Sequence, residues 1–199
     1  MSRSDARRPR LAVTVGDPRG IGPEIIAVAL ANSDLREECD LLIVGPDGAG
    51  IPVDISIGHW AAHDSKPAAG KLSGDAIVRA VELASSGQVD GIVTAPIDKS
   101  ALLQGGYDYP GHTEMLAELT GSRVAMMLAS ERLRVVLATT HLALRDVPTA
   151  LTRDAIIQAA EVTRHGLQQW FGIDSPRIAL CALNPHAGDG GRFGDEDDT

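Results

Sequence analysis

The sequence predicts an α/β protein with a mostly parallel sheet flanked by helices. Short apolar runs alternate with longer segments of helical periodicity, which is the pattern of strands joined by crossover helices. Two apolar runs are separated only by Ser130-Glu131-Arg132, and this spacing predicts one antiparallel hairpin. Open α/β sheets bind ligands beyond the carboxyl ends of their strands, so the loops after the strands are where we expect a functional site.

The first half of the chain contains four predicted strands and three predicted helices. Gly22-Pro23-Glu24 opens the first helix, because proline suits the first turn and glutamate complements the helix dipole. Asp47–Gly70 is rich in glycine, proline and short polar residues, and we expect a loop there with one weak strand. Ser73 is predicted to cap the next helix. The predicted elements are strands Leu11–Val15, Leu41–Val44, Val53–Ile57 and Asp90–Thr94, and helices Ile25–Ala31, Gly74–Ser86 and Lys99–Gln104.

The second half contains two capped helices and three apolar runs. Thr113 is predicted to cap a helix through Leu119 that Gly121 stops, and Thr152 to cap the longest helix, Arg153–Trp170. The predicted strands are Val124–Ala129, Leu133–Thr139 and Arg177–Leu183.

The ends of the chain differ from its middle. Residues 1–10 are basic and are predicted to form a disordered tail, and residues 11–199 to form part of one α/β unit. After Leu183 a glycine-rich loop leads into a short acidic tail instead of another element. We therefore expect residues 11–199 to be the N-terminal and central part of a domain whose C-terminal part is missing.

Composition and charge exclude several classes of protein. The chain has 18 Lys and Arg against 27 Asp and Glu, a net charge of -9, which argues against nucleic acid or an anionic membrane as partner. No apolar run approaches the roughly 20 residues that span a bilayer. Cys39 and Cys181 are far apart and form neither a disulfide framework nor a zinc knuckle, so a cytoplasmic, reducing setting is expected.

Two histidines follow predicted strands and are candidate metal ligands. His141 comes directly after one apolar run, and His186 follows another by a short Asn-Pro turn. Imidazole is the commonest metal ligand near neutral pH, and two ligands at one sheet edge can converge on one ion. The alternative is that each histidine caps a strand or bonds a loop carbonyl. A catalytic ion takes three protein ligands, so a third would have to come from elsewhere.

A third histidine lies at a predicted helix start. Backbone N–H groups at a helix N-terminus attract anions, and His112 and Thr113 could clasp a phosphate or carboxylate there. The alternative is a plain N-cap at Thr113. Lys99, at another helix start, could also bind an anion or simply be solvated.

The glycine loop Asp17–Glu24 does not fit a dinucleotide site. It lacks the third glycine of the fingerprint, and Pro23 removes an N–H donor that a pyrophosphate would need. A tight strand-to-helix turn is the favoured interpretation.

Six segments of the chain form an ordered set of motifs. They are Val15–Ile25, Lys71–Gly74, Thr94–Lys99, Pro110–Glu114, Ala138–Leu142 and Leu183–Gly188. In order and spacing these segments resemble those of 4-hydroxythreonine-4-phosphate dehydrogenases, enzymes of pyridoxal 5′-phosphate biosynthesis. The resemblance extends from Leu11 to about Phe193.

The resemblance implies a fold related to isocitrate and isopropylmalate dehydrogenases, a homodimer, and dependence on NAD and a divalent metal ion (zinc, magnesium, manganese or cobalt). The implied reaction oxidises the secondary alcohol of 4-phosphooxy-L-threonine, and the product loses carbon dioxide. It also implies that His141 and His186 are two of three metal ligands and that His112 and Thr113 contact the small phosphorylated substrate. It assigns no catalytic residue and no NAD-binding residue to this chain.

The chain departs from the family pattern in ways that leave alternative functions open. Family members continue past this C-terminus, into a part that carries the third histidine ligand, basic phosphate-binding residues and most of the NAD site. We therefore expect this chain alone to be inactive. The region Asp47–Pro67 is shorter than usual, which predicts a trimmed outer domain. The alternatives are a paralogous dehydrogenase of phosphorylated threonate or erythronate, and a non-catalytic truncated remnant.

Overall fold

The computed structural model describes residues 7–197. The chain divides into two compact units, Met1–Gly121 and Ser122–Thr199, here called unit 1 and unit 2, whereas the sequence predicts one α/β unit over residues 11–199. Residues 1–6 of the predicted tail lie outside the described residues. Arg7 forms an ion pair with Asp90 at 2.7 Å, and Arg10 already belongs to the first strand.

Unit 1 contains a four-stranded sheet whose described strands all run parallel in the order β3-β2-β1-β4. This confirms the predicted α/β class, with bounds that shift by a few residues. Because β1 lies between β2 and β4, the strand order reverses at the β1–β4 pair, where open sheets form a ligand crevice. The strands are β1 Arg10–Thr14, β2 Asp40–Asp47, β3 Ile55–His59 and β4 Gly91–Thr94.

The helices of unit 1 begin at local capping signals. Pro23 lies in the first turn of the first helix, and the side chains of Asn32, Ser65 and Asp98 each accept a backbone N–H at the start of the next three. The helices are α1 Gly22–Leu30, α2 Ser33–Glu38, α3 Lys66–Ser85, α4 Lys99–Gln104 and α5 His112–Thr120.

The prediction that Ser73 caps a helix is wrong. The helix α3 begins at Lys66, behind the cap Ser65 and with Pro67 in its first turn, so Ser73 lies in its interior. Ser73 is 2% exposed, and its hydroxyl bonds the carbonyls of Ala69 (2.8 Å) and Gly16 (3.1 Å). A serine that bonds the carbonyl four residues back is tolerated inside a helix, which is why its cap propensity misled the prediction.

Both faces of the sheet in unit 1 are covered by apolar residues. Because successive residues of a strand point to opposite faces, Ala12 and Val13 belong to two separate clusters. Ala12 packs in the cluster that contains Leu83 of α3, and Val13 in the cluster that contains Ile26 of α1. Burial on both faces is typical of parallel sheets and explains the near-continuous apolar runs of β1 and β2.

Two glycines let α3 and α4 approach closely. A Cβ at Gly70 would overlap the backbone carbonyl of Ala101, and a Cβ at Gly105 would overlap the backbone N of Lys71. These positions therefore require the absence of a side chain, and the two contacts hold the first turn and the C-terminal end of α4 against α3.

Unit 2 contains the predicted hairpin in a shorter form, followed by the longest predicted helix. The strands β5 and β6 pair antiparallel, and Thr152 caps α7 by accepting the N–H of Ala155 at 3.2 Å, as the sequence predicts. The predicted strand Arg177–Leu183 is wrong, because no strand is formed there. The elements are β5 Met127–Ala129, β6 Arg134–Val136, α6 Val147–Ala150 and α7 Arg153–Gln169.

The missing strand has a physical reason. An extended segment becomes a strand only when a neighbouring strand takes up its N–H and C=O groups. In unit 2 the described sheet has two strands, and Ile178 and Leu180 are 46% and 72% exposed. Residues 177–183 therefore have the apolar pattern of a strand but no neighbouring strand to pair with among the described residues.

Two further features concern the cysteines and the apolar character of the helices. Cys39 is buried, Cys181 is exposed, and both thiols are free. None of the helices described over residues 7–197 has the length and apolar character needed to cross a bilayer.

Candidate functional site

The first candidate site lies at the start of α5, where the sequence predicts contacts to an anion. His112 is the first residue of α5 and follows Gly111, an extended residue that provides no side-chain cap. Thr113 therefore lies within the first turn, and the prediction that Thr113 is the N-cap is wrong. The uncapped N–H groups of this first turn remain donors that a ligand can use.

The imidazole of His112 has an unsatisfied buried atom. Its Nε2 atom is buried without a hydrogen-bond partner among the described residues, and so is Oε2 of Glu114, two residues later in the same first turn. Buried polar atoms are bonded in most structures, so each such atom needs an explanation, and a missing ligand is one. Sequence reasoning singled out His112 but missed Glu114, which the helix-start pattern treats as a dipole partner.

Burial and a neighbouring charge keep His112 neutral. Burial lowers the pKa of the His112 imidazole, and the positive charge of Lys99 lowers that pKa further. A neutral imidazole carries one N–H donor and one acceptor nitrogen, so His112 can give or take a hydrogen bond at neutral pH. The effect also brings Lys99 into this site as a positive charge that acts on His112.

The loop after β1 is held by an ion-pair network. Arg19 bonds both oxygens of Asp17, Nε to Oδ1 at 3.0 Å and Nη2 to Oδ2 at 2.6 Å. Asp17 is 4% exposed, and its carboxylate also accepts the backbone N–H of Arg19. The same guanidinium reaches Asp98 at 3.0 Å, which Lys66 also contacts at 3.0 Å. The network therefore ties the β1–α1 loop to the starts of α3 and α4.

Asp98 performs two structural tasks in this network. Its Oδ1 caps α4 by accepting the N–H of Ala101 at 3.0 Å, and this bond, followed by the bond from Lys66, lowers the pKa of Asp98 to about 2. A carboxyl pKa below its unfolded value of 3.8 stabilises the fold above that pH, and the contribution is lost as pH falls toward 2. Lys99 directly follows Asp98, so the network fixes the backbone from which Lys99 projects.

The structure confirms that the glycines of the β1–α1 loop serve a tight turn. A Cβ at Gly16 would overlap the carbonyl oxygen of Pro96, and a Cβ at Gly22 would overlap that of Val15. Pro23 also occupies the first turn of α1 and has no N–H to offer. This turn does not fit a dinucleotide pyrophosphate.

The two predicted metal ligands lie in unit 2, and neither follows a strand directly. β6 ends at Val136, several residues before His141, and among the described residues no strand lies between α7 and His186. The prediction that both histidines lie directly after strands, on which the shared metal ion was based, is therefore wrong. Both side chains belong to exposed residues in irregular segments.

A different observation marks the same two segments. Among the described residues, the non-glycine residues with positive φ are His141 (57°), Ala187 (48°) and Asp189 (46°). Side chains with a Cβ rarely adopt this left-handed conformation, and such outliers concentrate at functional sites. Strained backbone thus occurs at one predicted ligand and directly after the other.

The chemistry of the donors fits a divalent ion in type but not in number. Imidazole nitrogens suit zinc, cobalt and related ions. Within residues 7–197, no group of three or more His, Cys, Asp or Glu side chains is arranged to hold a metal ion. His141 and His186 are therefore a candidate pair of ligands and not a complete centre.

Comparisons with known proteins agree on one family. The family model described as "Pyridoxal phosphate biosynthetic protein PdxA" matches residues 25–199. A 4-hydroxythreonine-4-phosphate dehydrogenase of Geobacter metallireducens is 42% identical and aligns with 96% of this chain and 66% of its own. The crystal structure of a 4-hydroxythreonine-4-phosphate dehydrogenase from Klebsiella pneumoniae has 35% identity and a TM-score of 0.82, covering 96% of this chain and 68% of that one.

A third relative is named for a different substrate. The Bradyrhizobium diazoefficiens protein, named for D-threonate 4-phosphate, is 42% identical over 94% of this chain and 63% of its own. The chain thus spans about two thirds of the length of the curated relatives it matches. The Geobacter alignment extends over 224 positions, more than the 199 residues here, so that relative has internal residues without a counterpart. On the match over residues 25–199 and these identities, the chain belongs to the PdxA family of pyridoxal phosphate biosynthetic proteins.

Proposed function

We propose that this chain contributes to an NAD-dependent and metal-dependent 4-hydroxythreonine-4-phosphate dehydrogenase of pyridoxal 5′-phosphate biosynthesis. The observation that carries the proposal is His112, which has a buried, unpartnered Nε2 atom and lies at an uncapped helix start beside the charge of Lys99. This combination suits a small anionic substrate that needs both hydrogen-bond donors and positive charge. Family membership then supports 4-phosphooxy-L-threonine as that substrate.

The residues of unit 1 would bind and orient the substrate. The first-turn N–H groups of α5 and the hydroxyl of Thr113 can donate to anionic oxygens. His112, held neutral by burial, can bond the substrate without adding a charge that must be desolvated. The Arg19–Asp17–Asp98 network keeps the start of α4, and with it Lys99, in place.

His141 and His186 would hold the divalent ion, which can be zinc, magnesium, manganese or cobalt. When bound, such an ion acts as a Lewis acid that polarises the oxygen at the reacting carbon. For the protein, the requirement is that both imidazoles be neutral and free to present a nitrogen. The strained backbone at and beside these residues supports a role that constrains the side chains.

The NAD requirement rests on family membership alone. The β1–α1 turn, the usual place for a dinucleotide in such a fold, does not fit the pyrophosphate. No residue of this chain is therefore assigned to NAD. A homodimer in the cytoplasm, with no nucleic-acid or membrane partner, completes the proposal and is supported by the family and the net charge of -9.

The second candidate function is oxidation of D-threonate 4-phosphate or a phosphorylated erythronate. The Bradyrhizobium relative favours it, because its identity to this chain equals that of the Geobacter relative. Both substrates carry a phosphate and a secondary alcohol, so His112 and Thr113 serve either one. A non-catalytic remnant is the remaining alternative, and reading the frame downstream of Thr199 for a further histidine and a basic loop is its simplest test.

A chimera tests the function directly. Residues 11–193 would be joined to the C-terminal third of the Geobacter relative, and NADH formation followed with each divalent ion. We expect turnover of 4-phosphooxy-L-threonine, preferred over D-threonate 4-phosphate by about tenfold or more in kcat/KM, and none with the chain alone. A reversed preference would establish the second candidate, and a folded chimera inactive on both substrates would establish the remnant.

A matched variant tests the site within that chimera. His112→Gln keeps a polar group of similar reach but not the imidazole, and we expect it to lower kcat/KM for the phosphorylated substrate. His165→Gln is the control, because His165 lies on the longest helix of unit 2, outside both candidate sites. Equal effects of the two variants would contradict the role of His112.

A further inference from the structure

We infer that Asn184 and Phe193 are positioning residues that fix the imidazole of His186 before a metal ion binds. The inference rests on the proposed function, in which His186 is a metal ligand, and adds two residues to it. It is drawn from the hydrogen bonds and ring contacts of residues 184–193, all within unit 2.

Asn184 organises the backbone of His186. Its Oδ1 atom accepts the backbone N–H of His186 at 2.9 Å and that of Gly188 at 3.4 Å. Its own backbone carbonyl accepts the N–H of Ala187 at 3.1 Å. One asparagine thus takes up three successive N–H groups, in the manner of a side chain that mimics a backbone turn.

These bonds explain how the strained loop persists. Ala187 and Asp189 have positive φ, a conformation that a residue with a Cβ keeps only when its surroundings enforce it. The backbone N–H of Asp189 bonds the carbonyl of His186 at 3.0 Å, and that of Phe193 bonds the carbonyl of Gly188 at 3.0 Å. Together with the bond from the His186 N–H to Asn184, these contacts hold the backbone on both sides of His186.

Phe193 acts on the side chain of His186. The two rings lie 5.4 Å apart between centroids with an interplanar angle of 34°, within the range of a stabilising aromatic pair. Both residues are exposed, so this ring is a neighbour that restricts an imidazole otherwise free to rotate in solvent. Asn184 fixes where the side chain starts, and Phe193 limits where the ring points.

A fixed imidazole is a better ligand than a mobile one. Binding an ion to a mobile side chain costs the entropy of ordering that side chain, and groups that hold a ligand in place reduce the cost. Replacement of residues that orient metal ligands typically lowers metal affinity 10- to 100-fold. Loss of either positioning residue should therefore weaken metal binding while His186 itself remains.

The test titrates the chimera, which supplies the C-terminal part that carries the third ligand in the family, with Co²⁺ alone and follows the visible spectrum and the heat of binding. Asn184→Leu removes the acceptor at similar size, and Phe193→Leu removes the ring, and we expect each to weaken Co²⁺ binding about 10- to 100-fold. Asn184→Asp keeps the acceptor and Phe193→Tyr keeps the ring, so both should bind nearly as the parent does. Phe171→Leu is the control, because the Phe171 ring contacts Arg134 and not His186.

Proton NMR of the metal-free chain tests the positioning without any ion. In the parent, the His186 ring protons should show a ring-current shift and contacts to Phe193, and the amides of His186 and Gly188 should exchange slowly. Phe193→Leu should abolish the ring-current shift, whereas Phe171→Leu should not. Because the parent itself is measured, a variant that fails to fold does not decide the result.

The outcomes separate the two proposals. If His186→Ala abolishes Co²⁺ binding but Asn184→Leu and Phe193→Leu bind as the parent does, the positioning role is wrong. If His186→Ala binds as the parent does, the ligand role within the proposed function is wrong. A parent spectrum with a freely rotating His186 ring overturns the positioning inference whatever the metal result.

Discussion

Unit 1 and unit 2 both contain apolar runs but bury their apolar residues very differently. In unit 1, Val15, Val44, Ile77 and Leu102 are fully buried. In unit 2, the buried residues among those described are Thr163, Gly166, Leu167 and Gly188, while Leu144 is 87% exposed. An apolar pattern therefore becomes a core only where a second layer covers it.

The difference should appear first in stability. Leu83→Ala in unit 1 removes a side chain that is 1% exposed and packs against the sheet, so it should lower the free energy of unfolding by about 2–5 kcal/mol. Leu180→Ala in unit 2 removes a side chain that is 72% exposed and should change the free energy of unfolding by less than about 0.5 kcal/mol.

The two tryptophans allow each unit to be followed separately. Trp60 lies in unit 1 and is 7% exposed, and Trp170 lies in unit 2 and is 78% exposed. Urea unfolding in Trp170→Phe and Trp60→Phe backgrounds therefore reports on one unit at a time. If Leu83→Ala and Leu180→Ala lowered the free energy of unfolding equally, unit 2 would bury Leu180 as unit 1 buries Leu83.

The same difference explains how far the sequence predicts the fold. The strands β1, β2 and β4 were predictable because each is a short apolar run flanked by turn residues, whereas β3 was expected only as a weak strand within a loop. Arg177–Leu183 has the same pattern and forms no strand, since pairing depends on residues distant in sequence. Ser73 shows a second limit, because a cap residue and a buried helical serine look alike locally.

The residues of the candidate sites also differ in how far the local sequence predicts them. His112 was predictable from a local helix-start pattern, and the structure adds its buried Nε2 atom. Arg19 and Asp98 lie far apart in sequence, so no local pattern indicates their ion pair. Asn184 and Phe193 were visible as a turn residue and an aromatic residue, but their contacts to His186 depend on loop geometry.

A smaller effect compares two helical glycines, one in each unit. Alanine favours a helix over glycine by about 1 kcal/mol. At Gly70 the new Cβ would overlap the backbone carbonyl of Ala101, which cannot yield, so Gly70→Ala should destabilise unit 1 by about 1–3 kcal/mol. At Gly166 the new Cβ would lie 3.0 Å from the ring of Trp170, an exposed side chain that can move. Gly166→Ala should therefore leave unit 2 unchanged or slightly more stable in thermal unfolding, and a loss as large as at Gly70 would contradict this.

The smallest expected effect concerns the protonation of His112, on which burial in unit 1 acts directly. Burial, and then the charge of Lys99, lower its pKa below 6.5, so Lys99→Met should raise that pKa without restoring it fully. Lys71→Met is the matched control, because Lys71 pairs with Asp75 and does not act on His112. Proton NMR titration of the His112 ring in the three proteins measures the shift.

The same shift sets the direction of a pH effect on stability. Well above pH 6.5 His112 is neutral in both the folded and the unfolded chain, and its protonation adds nothing to the pH dependence. As pH falls below 6.5 the unfolded chain binds the proton first, so stability falls until the lower pKa of the folded state is reached. Lys99→Met narrows the gap between the two pKa values, and the loss of stability on acidification should therefore be smaller in that variant than in the parent or in Lys71→Met. Urea unfolding at a series of pH values across this range measures the loss of stability in each protein. An equal loss in the parent, Lys99→Met and Lys71→Met would mean that Lys99 does not act on His112.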